Sequence, residues 1–317
     1  MLTLLKLLKD GRFHSGQALG EALGISRAAV WKQLQLLEAN LGLVIHKVRG
    51  RGYQLAQPLS LLDEALIKAV PGFPAWPVHI YDTIDSTNAQ ALREVAAGAY
   101  APFVVTAESQ TAGRGRRGRA WVSPFAQNLY FSLVLRIDGG MRQLEGLSLV
   151  VGLAVMRALH DSGVVDAGLK WPNDILVGQK KLAGILLELV GDPADVCHVV
   201  LGIGINVNMH AAPEVDQQWT SVQLETGRSQ DRCRLAGALA VHLDAYLARH
   251  RAEGFASLRP EWEAHHLWQG RPVSLIAGVT HIDGVVLGID QQGALRLQVG
   301  GQEKSYSGGE LSLRLRN

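Results

Sequence analysis

The chain is poor in cysteine and lacks the long apolar runs that a membrane span requires. Its 317 residues include only Cys197 and Cys233, which form no Cys-x-x-Cys pair, and this argues against a disulfide framework or a thiolate metal site. Cys197 lies in an apolar run, as is typical of a buried, inert thiol. The apolar start of the chain is broken by Lys6 and Lys9, which argues against a signal peptide. We therefore predict a cytoplasmic protein with no membrane contact and no metal site of its own.

Low-complexity tracts, internal repeats and long blocks of like charge are also missing, so nothing indicates disorder. Hydrophobic residues make up 47% and charged residues 19%, as expected of a globular protein with two or three domains. The charge is unevenly distributed. Residues 1–57 hold eight basic and three acidic side chains, a balance of +5, so the remainder carries 2 − 5 = −3. A small basic domain on a mildly acidic body is typical of a nucleic-acid-binding protein with a second function.

The first sixty residues have the pattern of three helices and a hairpin. Leucines recur at helical spacing up to Asp10-Gly11. Ser15 and Ser26 are in position to cap the second and third helices, which Gly24 separates. Two helices joined by a tight glycine-containing turn form a helix-turn-helix. The strand-like runs on either side of the basic turn Arg49-Gly-Arg-Gly predict a hairpin, or wing.

We predict that this domain binds DNA, with its third helix in the major groove and its hairpin against the phosphates. The candidate DNA-binding residues are Arg27, Lys32, Gln33, Arg49 and Arg51. The alternative is a small protein-interaction domain with solvated charges, although the concentrated basic charge favours DNA. A dimer of such domains would bind a two-fold symmetric operator.

Pro71, Pro74 and Pro77 indicate a domain boundary after an amphipathic, helix-like stretch at 61–69. From there to about residue 270, strand-like runs alternate with helical patterns, which predicts an α/β domain with a mixed sheet. Only short strands separated by glycine turns follow, so the C-terminal part is predicted to be a small all-β barrel. The predicted domains are therefore residues 1–60, 61–270 and 271–317.

The most distinctive motif is Gly113-Arg-Gly-Arg-Arg-Gly-Arg119. Its glycines permit unusual backbone angles and close approach to a ligand. Backbone N–H groups together with guanidinium groups suit a phosphate. Gly/Arg runs also bind RNA or form flexible basic loops, but a position inside a folded α/β domain favours phosphate.

A second motif is Lys170-Trp-Pro-Asn-Asp174, followed by Lys180-Lys181 and an apolar strand. A lysine at the mouth of a sheet can place its ammonium beside a carboxylate or an acyl phosphate. On spacing alone, a plain surface hairpin with the two lysines at its tip is favoured.

Two weaker motifs complete the pattern. Asp85-Ser-Thr-Asn88 opens a helix, where Ser86 or Thr87 could be simple N-caps. In Gly202-Ile-Gly-Ile-Asn206, glycines within a strand indicate that a ligand or another chain segment passes close by.

Taken in order, these motifs resemble those of the biotin protein ligases, specifically the bifunctional class that also represses biotin-synthesis genes. The resemblance covers nearly the whole chain, since order and spacing agree. It also includes the segments Phe13-His-Ser-Gly, Ser26-Arg-Ala-Ala, Lys181-Leu-Ala-Gly-Ile-Leu and Ser307-Gly-Gly-Glu. It implies an α+β multidomain fold: a winged helix, a catalytic domain related to class II aminoacyl-tRNA synthetases, and an SH3-like C-terminal barrel.

The resemblance also implies roles for individual residues. Those implied to line the biotin pocket are Ser86, Thr87, Asn88, Gln110, Arg114, Gly115, Arg116, Lys181 and Gly184. Those implied to contact ATP or the adenylate are Arg116, Arg119, Trp121, Asn173 and Asn206. Lys181, Arg116 and Asp174 would be catalytic, with Asp174 either helping to hold Mg²⁺ or orienting the incoming amine.

Members of this family use ATP and Mg²⁺ to convert biotin to biotinyl-AMP, and then biotinylate a lysine of the biotin carboxyl carrier protein of acetyl-CoA carboxylase. The adenylate promotes homodimerisation through the catalytic sheet, and the dimer binds operator DNA. We expect the same substrates and partners here. Three alternatives differ in function: a lipoate ligase, a transcription factor that senses biotin without ligating it, and a ligase whose winged helix no longer regulates.

Overall fold

The structure of the protein is a computed structural model that describes residues 2–138, 140–192, 196–308 and 311–316. Gly309 and Glu310, in the motif that starts at Ser307, lie outside the described residues. The N-terminal part contains helices α1 (Leu2–Leu8), α2 (Gly16–Leu23) and α3 (Arg27–Leu41), followed by strands β1 (Ile45–Val48) and β2 (Gly52–Leu55). The two strands pair antiparallel.

The predicted helix-turn-helix is confirmed, and its caps are the expected serines. Ser15 Oγ accepts a hydrogen bond from the Ala18 N–H at 3.0 Å, and Ser26 Oγ accepts one from Ala29 at 3.2 Å. Gly24 ends α2 in the left-handed region, with φ of 65°. Leucines and valines of α1, α2 and α3 form the buried core of this domain.

The central domain is built on a seven-stranded mixed sheet. Its strands are β3 (Val78–Tyr81), β4 (Phe103–Ala107), β5 (Leu129–Ile137), β6 (Ala167–Lys170), β7 (Asp174–Val177), β8 (Lys180–Gly191) and β9 (Cys197–Ile205). Their order across the sheet is β3-β4-β5-β9-β8-β7-β6. The β3–β4 pair is parallel, and the remaining neighbours are antiparallel.

Helices cover this sheet. They are α4 (Glu64–Lys68), α5 (Thr87–Ala96), α6 (Leu147–Asp161), α7 (Val222–Thr226), α8 (Arg232–Glu253) and α9 (Arg259–Ala264). Helix α6 is apolar around most of its circumference and is buried between the sheet and α8. A helix that is hydrophobic on nearly every side is stable only inside such a core.

The C-terminal part forms a five-stranded antiparallel sheet, which confirms the prediction of a small all-β domain. Its strands are β10 (Pro272–Ala277), β11 (Thr280–Ile289), β12 (Leu295–Val299), β13 (Gln302–Tyr306) and β14 (Leu311–Leu315), in the order β13-β12-β11-β10-β14. Its apolar face is continuous with the core of the central domain, so the two parts pack as neighbours.

A buried ion pair within the central domain holds the linker from the N-terminal domain, and it was missed by the sequence analysis. Arg232, fully buried, pairs with Glu108 and also donates from Nε to the carbonyl of Ser60 at 2.8 Å. Glu108 accepts in turn from the Leu62 N–H at 2.6 Å. Residues 61–63 are not helical, so the helix predicted at 61–69 begins only at Glu64 and ends at Lys68.

The contact between these domains also involves the segment after the Gly/Arg motif. Phe125 and Ala126 belong to the hydrophobic cluster of the N-terminal domain. Within the described part of the chain, no helix is both long and apolar enough to cross a bilayer.

Candidate active site

A cavity of about 370 Å³ lies over the middle of the central sheet, within the size range of small-molecule sites. Motifs that are far apart in the chain meet there because β8 and β9 form its floor, while α5, the Gly/Arg loop and the β6–β7 connection form its walls. The residues predicted from the sequence that line it are Ser86, Thr87, Asn88, Gln110, Arg114, Gly115, Arg116, Arg119, Trp121, Asn173, Asp174, Lys181, Gly184 and Asn206. The predicted DNA-binding residues are not among those that line it.

The start of α5 presents polar side chains to the cavity. Ser86 occupies the N-cap position, but its side chain makes no capping hydrogen bond, so the simple capping role is not supported. Thr87 donates from both its N–H and its hydroxyl to Gln110 Oε1, at 2.9 and 3.2 Å. Gln110 in turn donates to Ser123 Oγ at 3.0 Å. This chain of bonds fixes the wall of the cavity before any ligand enters.

Asn88 is the most constrained polar residue of this wall. Its side-chain oxygen accepts from Ser132 Oγ at 2.6 Å, and its Nδ2 donates to Glu188 Oε2 at 2.7 Å. Arg114 approaches the same carboxylate, with Nη2 at 3.2 Å from Oε1. Glu188 therefore connects the start of α5 to the Gly/Arg loop.

The Gly/Arg loop closes on itself. The Gly115 N–H donates to the carbonyl of Arg119 at 2.7 Å, and Arg116–Gly118 form one 3₁₀ turn. Of the three glycines, only Gly118 has a positive φ, whereas Arg117 adopts one despite its side chain. Gly113 is needed for space, since a Cβ there would be 2.7 Å from the carbonyl oxygen of Trp121.

Arg116 is the loop arginine directed furthest into the protein. Its Nη1 donates to Asn173 Oδ1 at 2.9 Å, and its Nη2 donates to the carbonyl of Leu311 in β14 at 3.3 Å. Asn173 donates to the carbonyl of Ile185 at 2.7 Å. Burial lowers the pKa of Arg116 from its ordinary value, but a guanidinium stays charged at neutral pH. The cavity thus contains a half-buried cation that touches the C-terminal domain.

Asp174 lies between two ammonium groups. Lys181 Nζ is 2.7 Å from Oδ1, and Lys170 Nζ is 3.3 Å from Oδ2. Burial raises the pKa of Asp174, but the two ammonium groups outweigh it and hold that pKa below its usual value. Burial lowers the pKa of Lys170. The cluster carries a net positive charge of one, in a place shielded from water.

The two adjacent lysines have different environments. Lys180 lies at the surface and pairs with Glu225 at 3.3 Å, whereas only 18% of the Lys181 side chain is exposed. The surface-hairpin interpretation therefore applies to Lys180 and not to Lys181. This difference follows from the alternation of side chains in a strand.

Trp121 covers the floor of the cavity. Its indole lies against Gly204 and Gly184, where an added Cβ would be 2.7 Å and 3.2 Å from ring carbons. Lys181 Nζ is 5.4 Å from the ring centroid. The indole Nε1 is buried and makes no hydrogen bond to any described residue. A buried donor without a partner is costly, so this N–H is left unsatisfied where the indole packs on Gly204.

The glycines of β9 meet the expectation of a close approach. A Cβ on Gly202 would be 2.7 Å from Asn88 Nδ2. Neither Gly202 nor Gly204 has a positive φ, so space, and not backbone angle, accounts for glycine here. The groups that lie close to the strand are two side chains of this chain, Asn88 at Gly202 and Trp121 at Gly204.

Asn206, at the end of β9, is buried and holds neighbouring backbone. Its Nδ2 donates to the carbonyl of Thr220 at 3.0 Å and to that of Lys181 at 3.4 Å. Its predicted role near adenine stays a prediction. The bonds indicate that it positions the start of β8.

Several lining residues were missed by the sequence analysis. They are Tyr130, Met209, the loop residues Glu214, Val215, Asp216, Gln217 and Trp219, and Leu311–Leu313 of β14. No motif or periodicity marks the loop at 207–221, because it has no regular structure. The contribution of β14 depends on how the C-terminal domain packs.

The predicted DNA-binding residues form a separate surface on the N-terminal domain. Arg27, Lys32, Arg49 and Arg51 are exposed, and the Arg51 guanidinium stacks 4.1 Å over the ring of Phe13. Gln33 departs from the prediction of an exposed side chain. It is only partly exposed, because it lies on the flank of α3 nearer to the buried residues.

Comparisons with known proteins agree on one family. Residues 81–206 match the model of the Biotin/lipoate A/B protein ligase family, residues 1–54 match that of an HTH domain, and residues 270–314 match that of the Biotin protein ligase C terminal domain. The three matches fall in the three parts of the fold.

Relatives and solved structures extend this agreement. The chain is 42% identical to the bifunctional ligase/repressor BirA of Salmonella typhimurium, over 99% of this chain and 97% of that protein. It is 40% identical to a biotin–[acetyl-CoA-carboxylase] ligase of Paracoccus denitrificans, over 68% of this chain and 91% of that protein. The biotin protein ligase of Aquifex aeolicus, solved in complex with biotin and ATP, superimposes with a TM-score of 0.67 at 30% identity. That match covers 76% of this chain and 99% of the Aquifex chain.

Proposed function

Because the chain belongs to the family of bifunctional biotin protein ligases and repressors, we propose that it joins biotin to a lysine of an acceptor protein through biotinyl-AMP, and that it represses transcription. The observation that carries the proposal is one cavity, lined by every residue that the resemblance implies for biotin and the adenylate. The proposed domains are residues 1–60, 61–270 and 271–317, around the three matched segments.

In the first step, a carboxylate oxygen of biotin attacks the α-phosphorus of ATP. An O–P bond forms, the bond between the α-phosphorus and the bridging oxygen breaks, and pyrophosphate leaves. Two anions must approach each other, so fixed cations lower the barrier. Lys181 and Arg116 line the cavity and are held in place, Lys181 by its ion pair with Asp174 and Arg116 by its hydrogen bond to Asn173.

Mg²⁺ enters as part of the Mg–ATP substrate and adds to this screening. Both oxygens of Asp174 already face ammonium groups, which makes it a poor metal ligand. We propose that Asp174 holds Lys181 and Lys170 in position.

In the second step, the neutral amine of the acceptor lysine attacks the acyl carbon of biotinyl-AMP. The C–N bond forms, the bond from the acyl carbon to the phosphate oxygen breaks, and AMP leaves with one proton released to solvent. A general base works best with a pKa near neutrality. Since the pKa of Asp174 is held low and both of its oxygens face ammonium groups, we propose that it does not deprotonate the amine.

Biotinyl-AMP is a mixed anhydride that water hydrolyses, so the cavity must exclude water between the two steps. We propose that Trp121 and the Gly/Arg loop do this. Arg116 would hold the phosphate of the adenylate, and Arg119 would contact it from the rim.

The open edge of β8 supports the proposal of a homodimer. Strand β7 pairs only with the first part of β8, and among the described residues no strand pairs with that side of β8 over residues 186–191. Leu189 and Val190 are 49% and 41% exposed there. An unpaired strand edge is a template for a second chain. Glu188, on this edge, also contacts Asn88 and Arg114, so the cavity and the edge share a residue.

The acceptor proposed is the biotin carboxyl carrier protein of acetyl-CoA carboxylase. The Paracoccus relative is named for that enzyme. A carrier domain and a second copy of the chain would compete for the β8 edge, which would link ligation to repression. The winged helix, with its exposed arginines, would bind the operator.

The test of the proposed function compares two neighbouring lysines. Wild-type protein, Lys181→Ala and Lys180→Ala are incubated with ATP, Mg²⁺, labelled biotin and a biotin carboxyl carrier domain. We expect labelled carrier with the wild type and with Lys180→Ala, because an exposed ion pair contributes little. Lys181→Ala should form biotinyl-AMP on the order of 100-fold more slowly, as when one charge-stabilising group is removed.

Near-normal adenylate formation by Lys181→Ala, with a circular dichroism spectrum like that of the wild type, would contradict the role of Lys181. Equal use of lipoate and biotin by the wild type would contradict the substrate. Absence of carrier labelling, together with tight biotin binding and retention of operator DNA, would indicate a repressor that has lost its enzymatic activity.

A further inference from the structure

The DNA-binding helix exposes one large apolar side chain. Trp31, in α3, is 47% exposed, although α3 buries Val30, Leu34 and Leu37 against the domain core. Its neighbours on the outer surface of the helix are polar or small. No step of biotin activation or transfer involves this indole.

Helical periodicity places Trp31 on the side of α3 that faces the hairpin. Residues seven apart lie nearly on the same face of a helix, so Trp31 and Glu38 share one flank. Glu38 Oε2 accepts from Lys47 Nζ of β1 at 2.6 Å, which shows that this flank faces the hairpin. Leu36, also exposed at 43%, lies about 140° around the helix, on the other flank.

The surface around Trp31 is positively charged and unpaired. Among the described residues of the N-terminal domain, the ion pairs are His14–Asp10 and Lys47–Glu38. Arg27, one turn before Trp31, and Lys32, next to it, therefore form none there. A basic surface without counter-charges attracts a polyanion and disfavours a protein partner that lacks acidic residues. The occupant that fits is duplex DNA.

Trp31 is the fifth residue of α3, in the half of a recognition helix that contacts base edges. Arginine and lysine read guanine or phosphate, whereas the apolar ring of an indole matches the apolar feature of the major groove, the 5-methyl group of thymine. We propose that Trp31 packs on a thymine methyl group and sets the base preference at one position of each half-site. This inference rests on the proposed DNA-binding function.

The experiment first selects, from a random pool, the duplexes that bind the full-length wild type in the presence of biotin and ATP. Binding of the best duplex is then measured for the wild type, Trp31→Ala and the matched control Leu36→Ala. Each thymine is replaced in turn by deoxyuridine, which removes only the methyl group.

We expect one thymine per half-site at which deoxyuridine weakens wild-type binding about tenfold, equivalent to about 1.4 kcal/mol. Trp31→Ala should lose a similar factor on the thymine duplex and show no further loss on the deoxyuridine duplex. Its salt dependence should match that of the wild type, since no charge is removed. Leu36→Ala should behave as the wild type throughout, and both variants should biotinylate a carrier domain normally.

Trp31→Ala that selects the same duplex with unchanged affinity would overturn this inference and leave DNA binding intact. An equal loss on thymine and deoxyuridine duplexes would also overturn it. Weaker self-association of Trp31→Ala without DNA would place the indole in a protein interface instead. A wild type that selects no duplex would overturn the proposed DNA-binding function itself, and the inference with it.

Discussion

Replacing Gly202 with alanine tests whether the floor of the cavity sets the position of Asn88. The added Cβ would overlap Asn88 Oδ1 and lie 2.7 Å from Nδ2, whereas ordinary contacts begin at 3.4 Å, so the amide must move by more than 3.4 − 2.7 = 0.7 Å. It cannot move freely, because Ser132 and Glu188 hold it with hydrogen bonds of 2.6 and 2.7 Å.

The expected magnitude follows from those two bonds. A neutral hydrogen bond contributes about 1 kcal/mol and one to a charged group about 2 kcal/mol. Moving the amide breaks both bonds, at a cost of about 3 kcal/mol to the folded protein. A displaced Asn88 also loses its own proposed contacts to biotin, so biotin affinity should fall about tenfold.

Isothermal titration of biotin into Gly202→Ala measures this change. Gly308→Ala is the control, because it does not line the cavity and its added Cβ would have no heavy atom within 4 Å. The control should bind biotin within about threefold of the wild type. Wild-type affinity in Gly202→Ala would refute the reasoning that Asn88 is fixed by this contact.

Three other changes test the linker, a buried histidine and the loop. Arg232→Met leaves Glu108 buried without its partner. This should lower the free energy of unfolding by about 3–5 kcal/mol and the melting temperature by roughly 10 °C. Unchanged melting and unchanged proteolysis near residue 60 would contradict this. Burial lowers the pKa of His266 to about 4 from 6.5, so its folded form is the neutral one. The contribution of neutral His266 to the stability of the fold is full above pH 6.5 and is lost as the pH falls towards 4. The free energy of unfolding of the wild type should fall by about 2 kcal/mol between pH 7 and pH 5, whereas that of His266→Leu should not. If thermal melting shows an equal loss in both proteins, His266 is excluded as the source. Arg116→Ser removes the cation near Asn173 and should release biotinyl-AMP faster; an unchanged dissociation rate would argue against the loop as a trap.

Local patterns predicted the N-terminal domain well, because serine caps and glycine stops act over only three or four residues. The alternation of strand-like runs and helical patterns predicted the mixed sheet of the central domain, but not the order of its strands. Strands β6, β7 and β13 were missed as separate elements. They are short or polar, and among the described strands β6 and β13 are edge strands that each pair only with the adjacent strand in the chain.

The candidate site was predicted motif by motif, but not its connections. The resemblance identified Asn88, Arg116 and Lys181, and the cavity brings them together. Spacing could not distinguish Lys180 from Lys181, because only the twist and pairing of β8 decide which one faces Asp174. The contact of Arg116 with Leu311 spans almost two hundred residues, and no local pattern indicates it.

By itself, the sequence determined the order of the domains, the helix caps, the basic N-terminal charge and the family motifs, because each depends on residue type at short separation. Only the tertiary structure decided that Glu108 and Arg232 would join the linker to the central domain. The same holds for Asp174, which lies between two lysines, and for Trp121, which lies on the glycines of β8 and β9. These contacts arise where distant segments are packed into one interior, since burial removes water and leaves each charge to the partner that the fold provides.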